Sequence, residues 1–269
     1  MKKGIISCAY GDIYYELSGI DSGPTLVFIH GVGMDRLTFQ EQLASLKSHY
    51  RILVWDLPGH GASSLENYHK RFTELSAECL NELLETLQIT QVVLIGQSLG
   101  SMVAQYFQLK HPDKVLALIH APGIELKSHV GKWAKPLVPI FIFLMGLMPE
   151  KMFCSSFGKH RAVKKEVQEY LARSIGKIGK KLALQITADM CYDLIDSSPQ
   201  PTKVPLLMLY GKRDLDFIKN ASKAWCKKES SSQCVEIPNA NHIANQDNPE
   251  AFNRVLHKFL DETCQVFKT

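Results

Sequence analysis

Apolar positions along this chain follow two alternating rhythms. Thr25 to Ile29, Arg51 to Trp55, Val92 to Ile95 and Val115 to Ile119 are short, nearly continuous apolar runs, the pattern of strands buried on both faces. Ile13-Tyr14-Tyr15-Glu16-Leu17 follows a Gly11-Asp12 turn and reads as a hairpin strand. Helical spacing fills the intervals. Leu37 to Leu46 puts Phe39, Leu43 and Leu46 on one side, and Thr73 to Leu87 carries a stripe of Leu75, Cys79, Leu80, Leu83, Leu84 and Leu87. Met102 to Leu109 is a further helix, stopped before Pro112. Strand-helix alternation of this kind predicts a mostly parallel, twisted sheet covered by helices on both faces.

The alternation breaks at Pro122-Gly123 and resumes with the apolar run Pro205 to Tyr210. A structureless loop of that length does not fit a compact domain, and helical patterns occur inside it at Val163 to Ile175 and Leu182 to Leu194. We therefore expect a core made of residues 1–123 and 204–269, with residues 124–203 inserted as a helical cap over one end of the sheet. The tail returns to the first rhythm, with a helix near Ala221, a strand Cys234 to Ile237 and a closing helix Pro249 to Leu260.

Composition adds exclusions. At 269 residues, 45% apolar and 22% charged, the chain can bury a sizeable core and is neither disordered nor a disulfide-stapled mini-domain. Its net charge of +4 gives no concentrated footprint for nucleic acid. Pro136 to Pro149 is the longest apolar stretch, too short to span a bilayer, so no stable membrane anchor is expected. Ile5-Ile6-Ser7-Cys8 lacks the apolar run a signal peptide needs ahead of its cleavage site. Seven scattered cysteines without C-x-x-C spacing fit reduced thiols in a cytoplasmic protein. No His/Cys/Asp cluster has zinc-ligand spacing, and no metal or cofactor is expected.

The sharpest chemical signal is Gly96-Gln97-Ser98-Leu99-Gly100, lying between an apolar strand and a helical pattern. A G-x-S-x-G match needs that context, because the serine must sit on a tight strand-to-helix turn with its hydroxyl exposed. A nucleophilic serine needs a base, and the base needs an orienting carboxylate. Of the ten histidines, His242 is best placed, just after the penultimate strand. Asp214 and Asp216 follow the strand that ends at Tyr210. The chain order is then Ser98, Asp214, His242.

These residues resemble the α/β-hydrolase superfamily, in its common form with a helical cap, over nearly the whole chain. His30-Gly31-Val32-Gly33 resembles that family's oxyanion loop, and Asp56-Leu57-Pro58-Gly59-His60-Gly61-Ala62-Ser63 its D-x-P-G-x-G-x-S turn. Gly211-Lys212-Arg213-Asp214 resembles the G-x-x-D that carries the triad acid, which favours Asp214 over Asp216. Asn241 departs from the glycine more usual before the histidine. The resemblance implies an α/β-hydrolase fold, catalysis by Ser98, Asp214 and His242, and an oxyanion hole made by the backbone amides of Val32 and Leu99. Serine as nucleophile argues against the dehalogenase and epoxide hydrolase branches, which use aspartate. His30, His60 and Asp56 are expected to tie loops together rather than to react.

The expected function is hydrolysis of a carboxylic ester, or a related lactone, thioester or C–C acyl substrate, through an acyl-enzyme. The alternatives are a hydrolase-fold small-molecule receptor with slow or no turnover, and a cofactor-free perhydrolase. Selectivity should lie in the cap. It holds 13 of the chain's 31 basic and 7 of its 27 acidic residues, so the core is slightly acidic and the cap distinctly basic. The clusters Lys159-His160-Arg161 with Lys164-Lys165, and Lys177 with Lys180-Lys181, suit an anionic substrate, a membrane surface, an acidic partner or a plain solvated face. Leu137 to Met148, if turned inward over Ser98, would form an apolar acyl pocket; packing within the cap is the alternative.

Overall fold

The computed structural model describes residues 1–126, 131–198 and 202–264, so two short pieces of the cap and the C-terminal tail lie outside the described residues. In chain order the elements are β1 (Lys2–Cys8), β2 (Gly11–Gly19), β3 (Thr25–Ile29), α1 (Gln40–Leu46), β4 (Arg51–Trp55), α2 (Phe72–Thr86), β5 (Val92–Gly96), α3 (Leu99–Lys110) and β6 (Val115–His120). Then come α4 (Leu137–Gly146), α5 (Glu150–Lys159), α6 (Lys165–Ile178), α7 (Lys180–Asp196), β7 (Leu206–Gly211), α8 (Asp216–Cys226), β8 (Ser232–Ile237), α9 (Ala244–Asp247) and α10 (Pro249–Cys264).

The eight strands form one sheet in the order β1-β2-β4-β3-β5-β6-β7-β8. The β1-β2 and β2-β4 pairs are antiparallel, and every other pair is parallel. β1 carries no pattern of its own, because only Ile6 on it is buried. The hairpin turn falls at Ala9-Tyr10, and Gly11 already pairs with Cys8, two residues earlier than the sequence suggested.

Each central strand splits its apolar run between the two faces. Leu26, Phe28, Val93, Ile95, Leu207 and Leu209 pack with Leu46 of α1 and Phe252, Leu256 and Phe259 of α10. Val27, Ile29, Val92, Leu94, Leu206 and Met208 face the other way, against Leu75, Leu80 and Leu83 of α2 and Val103 and Phe107 of α3. Alternate residues point to opposite faces, so a strand covered on both sides reads as unbroken hydrophobicity.

Among the described residues, helices α4 to α7 between β6 and β7 add no strand to the sheet, and Ile175 of α6 and Leu182 of α7 lie against Gly33 and Gly59 in the loops after β3 and β4. The helices' buried side chains Phe153, Phe157, Leu171, Ile175, Leu184 and Ile186 join the same apolar cluster as Val32, Leu99 and Ile243. Acidic residues of α7 tie this layer to the start of α2. Asp189 accepts from the Phe72 amide and the Tyr68 hydroxyl (both 2.8 Å), while Asp193 and Asp196 take Arg71.

α4 departs from the expected inward pocket. Only Val138 on it is buried, whereas Leu137, Ile140, Phe141, Phe143 and Leu144 are exposed. The apolar layer under the cap is supplied by α5, α6 and α7 instead. Hydrophobicity alone carries no direction here, since α4 has no polar face to oppose an apolar one.

Candidate active site

Parallel α/β sheets place their functional loops at the C-terminal ends of the strands, and four such ends converge here. Ser98 follows β5, the His30–Gly33 loop follows β3, Asp214 follows β7 and His242 follows β8. Ser98 sits at φ 54° and ψ −114°, a conformation that side-chain-bearing residues rarely adopt and that is held only by surrounding contacts. The Gln97 amide donates to Ile29 O (2.9 Å) and the Ser98 amide to Pro122 O (3.0 Å), bracing the turn on both sides. Both glycines are required by space. A Cβ on Gly96 would lie 2.4 Å from Gly100 O, and one on Gly100 would lie 2.0 Å from Ile29 O.

The Ser98 hydroxyl is 3.0 Å from His242 Nε2, and His242 Nδ1 is 3.1 Å from each Asp214 carboxylate oxygen. A carboxylate only accepts, so Nδ1 carries the ring proton and Nε2 is left to accept from Ser98. Asp214 is buried and also accepts from the Leu215 amide (2.8 Å). Asp216 is exposed and paired with Lys219, away from the histidine. Asn241 takes the place of a glycine without strain at its own backbone. Its amide donates to Asp247, its side chain donates to His160 O in the cap, and its Oδ1 accepts from the His242 amide.

Among the described residues, neither the Val32 nor the Leu99 amide donates to a protein acceptor. Leu99 opens α3, where the first N–H groups have no partner within the helix. Gly33 beside Val32 is held by its amide donating to His60 Nε2 (3.2 Å), while His60 Nδ1 donates to Pro58 O (3.0 Å). His30 Nδ1 donates to Gly31 O (2.8 Å) and its Nε2 accepts from the Leu57 amide (2.9 Å). Burial lowers His30 to about 4 and His60 to about 3, so both rings are neutral ties between loops. Asp56 is likewise a fastener. It accepts from the Arg36 amide (2.8 Å), the Arg36 guanidinium (2.7 Å) and the Ala62 amide (2.9 Å).

Two groups that matter to this geometry left no mark in the sequence pattern. Gln97, between the first glycine and Ser98, donates to Asn245 Oδ1 (2.8 Å), and Asn245 donates to Thr38 O (2.7 Å). This buried chain links the serine turn to the segment that follows His242. Asp247 accepts from the amides of Asn241 (2.9 Å), Val163 (2.9 Å) and Lys164 (3.0 Å), fastening the cap to the histidine loop. Both act between segments far apart in sequence, which no local signal could reveal.

The cap loop held by Asp247 carries Arg161. Its carbonyl accepts from the Ile243 amide (3.1 Å), next to His242. The guanidinium lies over the Phe157 ring, 3.9 Å from its centroid, and among the described residues donates only to Phe157 O (3.2 Å). Burial pushes it down to about 10, opposed by the nearby Asp214 carboxylate. Among the described residues, no group of three or more His, Cys, Asp and Glu side chains could hold a metal ion, and no single helix is long and apolar enough to cross a membrane.

Comparison with known proteins agrees with this architecture. The family model of the alpha/beta hydrolase fold matches residues 24–249. A pimeloyl-[acyl-carrier protein] methyl ester esterase of Vibrio vulnificus is 29% identical, over 92% of this chain and 98% of its own length. A probable 1-acylglycerol-3-phosphate O-acyltransferase of Oryza sativa is 23% identical, over 92% of this chain and 68% of its own. Among solved structures, a thermophilic esterase of Thermogutta terrifontis superposes with a TM-score of 0.81 at 21% identity, covering 98% of this chain and 100% of that one.

Proposed function

The chain belongs to the α/β-hydrolase fold family, and from that premise we propose that it is a serine hydrolase that cleaves a carboxylic ester through an acyl-enzyme. The observation that carries the reading is one continuous line of contacts. Ser98 Oγ meets His242 Nε2 and His242 Nδ1 meets Asp214, while Leu99 is next in the chain to Ser98 and Val32 follows Gly31, which abuts the Ser98 side chain. His242 takes the Ser98 proton as Oγ attacks the acyl carbonyl, and then returns it to the departing alkoxide. Asp214 keeps the imidazole in the tautomer that can accept, and stabilises the imidazolium as it forms. The amides of Val32 and Leu99 donate to the oxyanion, whose charge develops only in the transition state; such a donor contributes about 3 kcal/mol. Water activated by the same histidine then releases the acyl group.

The side chains of α5, α6 and α7 that join the cluster of Val32, Leu99 and Ile243 favour an apolar acyl group. The test is a fluorophosphonate probe combined with p-nitrophenyl esters of graded chain length. Stoichiometric labelling at Ser98 and turnover that rises from acetyl to medium-chain esters are expected. A folded protein that neither labels nor turns over, but whose melting temperature rises with a small acyl ligand, would be the receptor instead.

A second reading concerns an anionic group on the substrate, and Arg161 favours it. Its other N–H donors meet no protein acceptor among the described residues, although burial opposes the cation. A charge-assisted hydrogen bond of about 1.5–3 kcal/mol corresponds to roughly 10–100-fold in binding. Arg161→Gln is expected to raise KM for the monoester of a dicarboxylic acid by at least about tenfold, and to leave a neutral ester of equal length nearly unchanged. Equal losses on both esters would assign Arg161 to packing against Phe157 alone.

A further inference from the structure

A helix at a protein surface normally shows one apolar stripe to the core and a polar face to water. α4 does not. Val138, Ile142 and Met145, at helical spacing, turn inward, and α7 packs against this helix. The opposite side presents Ile140, Phe141, Phe143 and Leu144, and the patch continues past the helix end to Leu147, 65% exposed. Trp133, just ahead of the helix, is 73% exposed. Single exposed apolar residues are ordinary, but a contiguous patch marks a surface that is covered in use.

The surroundings of the patch are cationic. Lys132 and Lys135 precede α4, and Lys151 stands in the first turn of α5. Lys180 donates to Gly146 O (2.8 Å) and Met148 O (2.9 Å), which seats the α6–α7 junction, with Lys177 and Lys181, at the C-terminal end of α4. The acidic neighbours are Glu150 and Asp196, and Asp196 is already paired with Lys135. We propose that this face docks the cap onto the surface of an anionic lipid bilayer, with the outward side chains of α4 in the headgroup–acyl boundary and the lysines against lipid phosphates.

Geometry sets the depth. Ten helical residues extend about 15 Å, half of a hydrocarbon core of about 30 Å. α4 and α5 are bent by 109° to one another, so together they do not form a straight span. The helix therefore lies along the interface, where Trp, Phe and Leu on one side and lysines beside them are the usual composition. Charge distinguishes this occupant from a second copy of the chain. A two-fold interface apposes the same patch on both subunits, which would bring the lysine collars together, whereas an anionic bilayer neutralises them.

Co-sedimentation of the full chain with vesicles of phosphatidylcholine and phosphatidylglycerol (7:3), against phosphatidylcholine alone, tests the proposal. Binding is expected to be at least about tenfold stronger to the anionic vesicles and to weaken in high salt. The double variant Phe143→Gln, Leu144→Gln should lose about tenfold or more of that binding while hydrolysing a water-soluble ester as the parent does. Trp133 provides a readout in the unmodified protein, because the other two tryptophans, Trp55 and Trp225, are buried. Its emission should shift to the blue on anionic vesicles. Parent protein that stays in the supernatant, a variant that binds as well as the parent, or an unmoved Trp133 emission overturns the proposal. A concentration-dependent dimer that the double variant abolishes, without vesicle binding, assigns the face to a second copy.

Discussion

Ser98→Ala is expected to lower kcat for ester hydrolysis by about 10⁴–10⁶ while moving the unfolding free energy by less than about 1 kcal/mol. The loss is large because the covalent route disappears altogether. What remains is binding plus the proposed donors of Val32 and Leu99, with no nucleophile to create the oxyanion they would stabilise. His242→Ala should cost a similar factor, and the double variant little more, since the two side chains act as one unit across their 3.0 Å contact. Stability separates this effect from simple misfolding. Alanine at position 98 inherits the same φ of 54°, so the turn keeps its strain. Ser98→Gly relieves it and should raise stability by about 1 kcal/mol while abolishing activity equally. Steady-state kinetics on one p-nitrophenyl ester, with calorimetric melting of the four variants, decides the matter. Turnover by Ser98→Ala equal to that of the parent would remove Ser98 from the chemistry.

That Ser98, Asp214 and His242, which the structure brings within hydrogen-bond distance of one another, can be singled out from the chain follows from how locally each is marked. The turn around Ser98 needs glycine at two fixed offsets, because the backbones of Gly96 and Gly100 run against Gly100 and Ile29. Asp214 and His242 are marked by standing just beyond apolar runs, and an apolar run that ends abruptly is a strand end. What stayed hidden is nonlocal or directionless. Gln97, in the turn after β5, and Asn245, in the one-turn helix α9, are polar residues 148 positions apart, and nothing in either neighbourhood announces the other. Asp247 gathers three amides from two segments only after the cap has folded over the core. β1 was silent because one buried side chain makes no period. α4 misled because an apolar segment without a polar face fits inside and outside equally, and only its neighbours decide.

Acidification below pH 6.5 is expected to destabilise the fold steeply. His30, His60 and His120 are fully buried, and burial lowers them to about 4, about 3 and about 3. In the unfolded chain each titrates near 6.5. Above that value all three are neutral in both states and the full stability is present. As pH falls through 6.5 the unfolded chain takes up protons that the folded chain refuses, and stability is lost until the folded values are reached. Three such groups give a slope of roughly 4 kcal/mol per pH unit, against a total stability of about 5–15 kcal/mol for a domain. Urea midpoints at pH 7, 6 and 5 should therefore fall sharply, and a flat profile over that range would refute the argument. His120 allows the contribution to be divided. It stacks on Trp225 at 5.0 Å, and among the described residues neither of its ring nitrogens has a partner. His120→Leu should leave stability at pH 7 unchanged or higher, because it removes unsatisfied buried polar atoms, and should cut the slope by about a third. His30 and His60 cannot be exchanged so freely. Their Nε2 atoms accept from the Leu57 and Gly33 amides, and protonation abolishes both acceptors. Two of the three groups that refuse the proton in the folded state are thus ties of the loop that carries Val32.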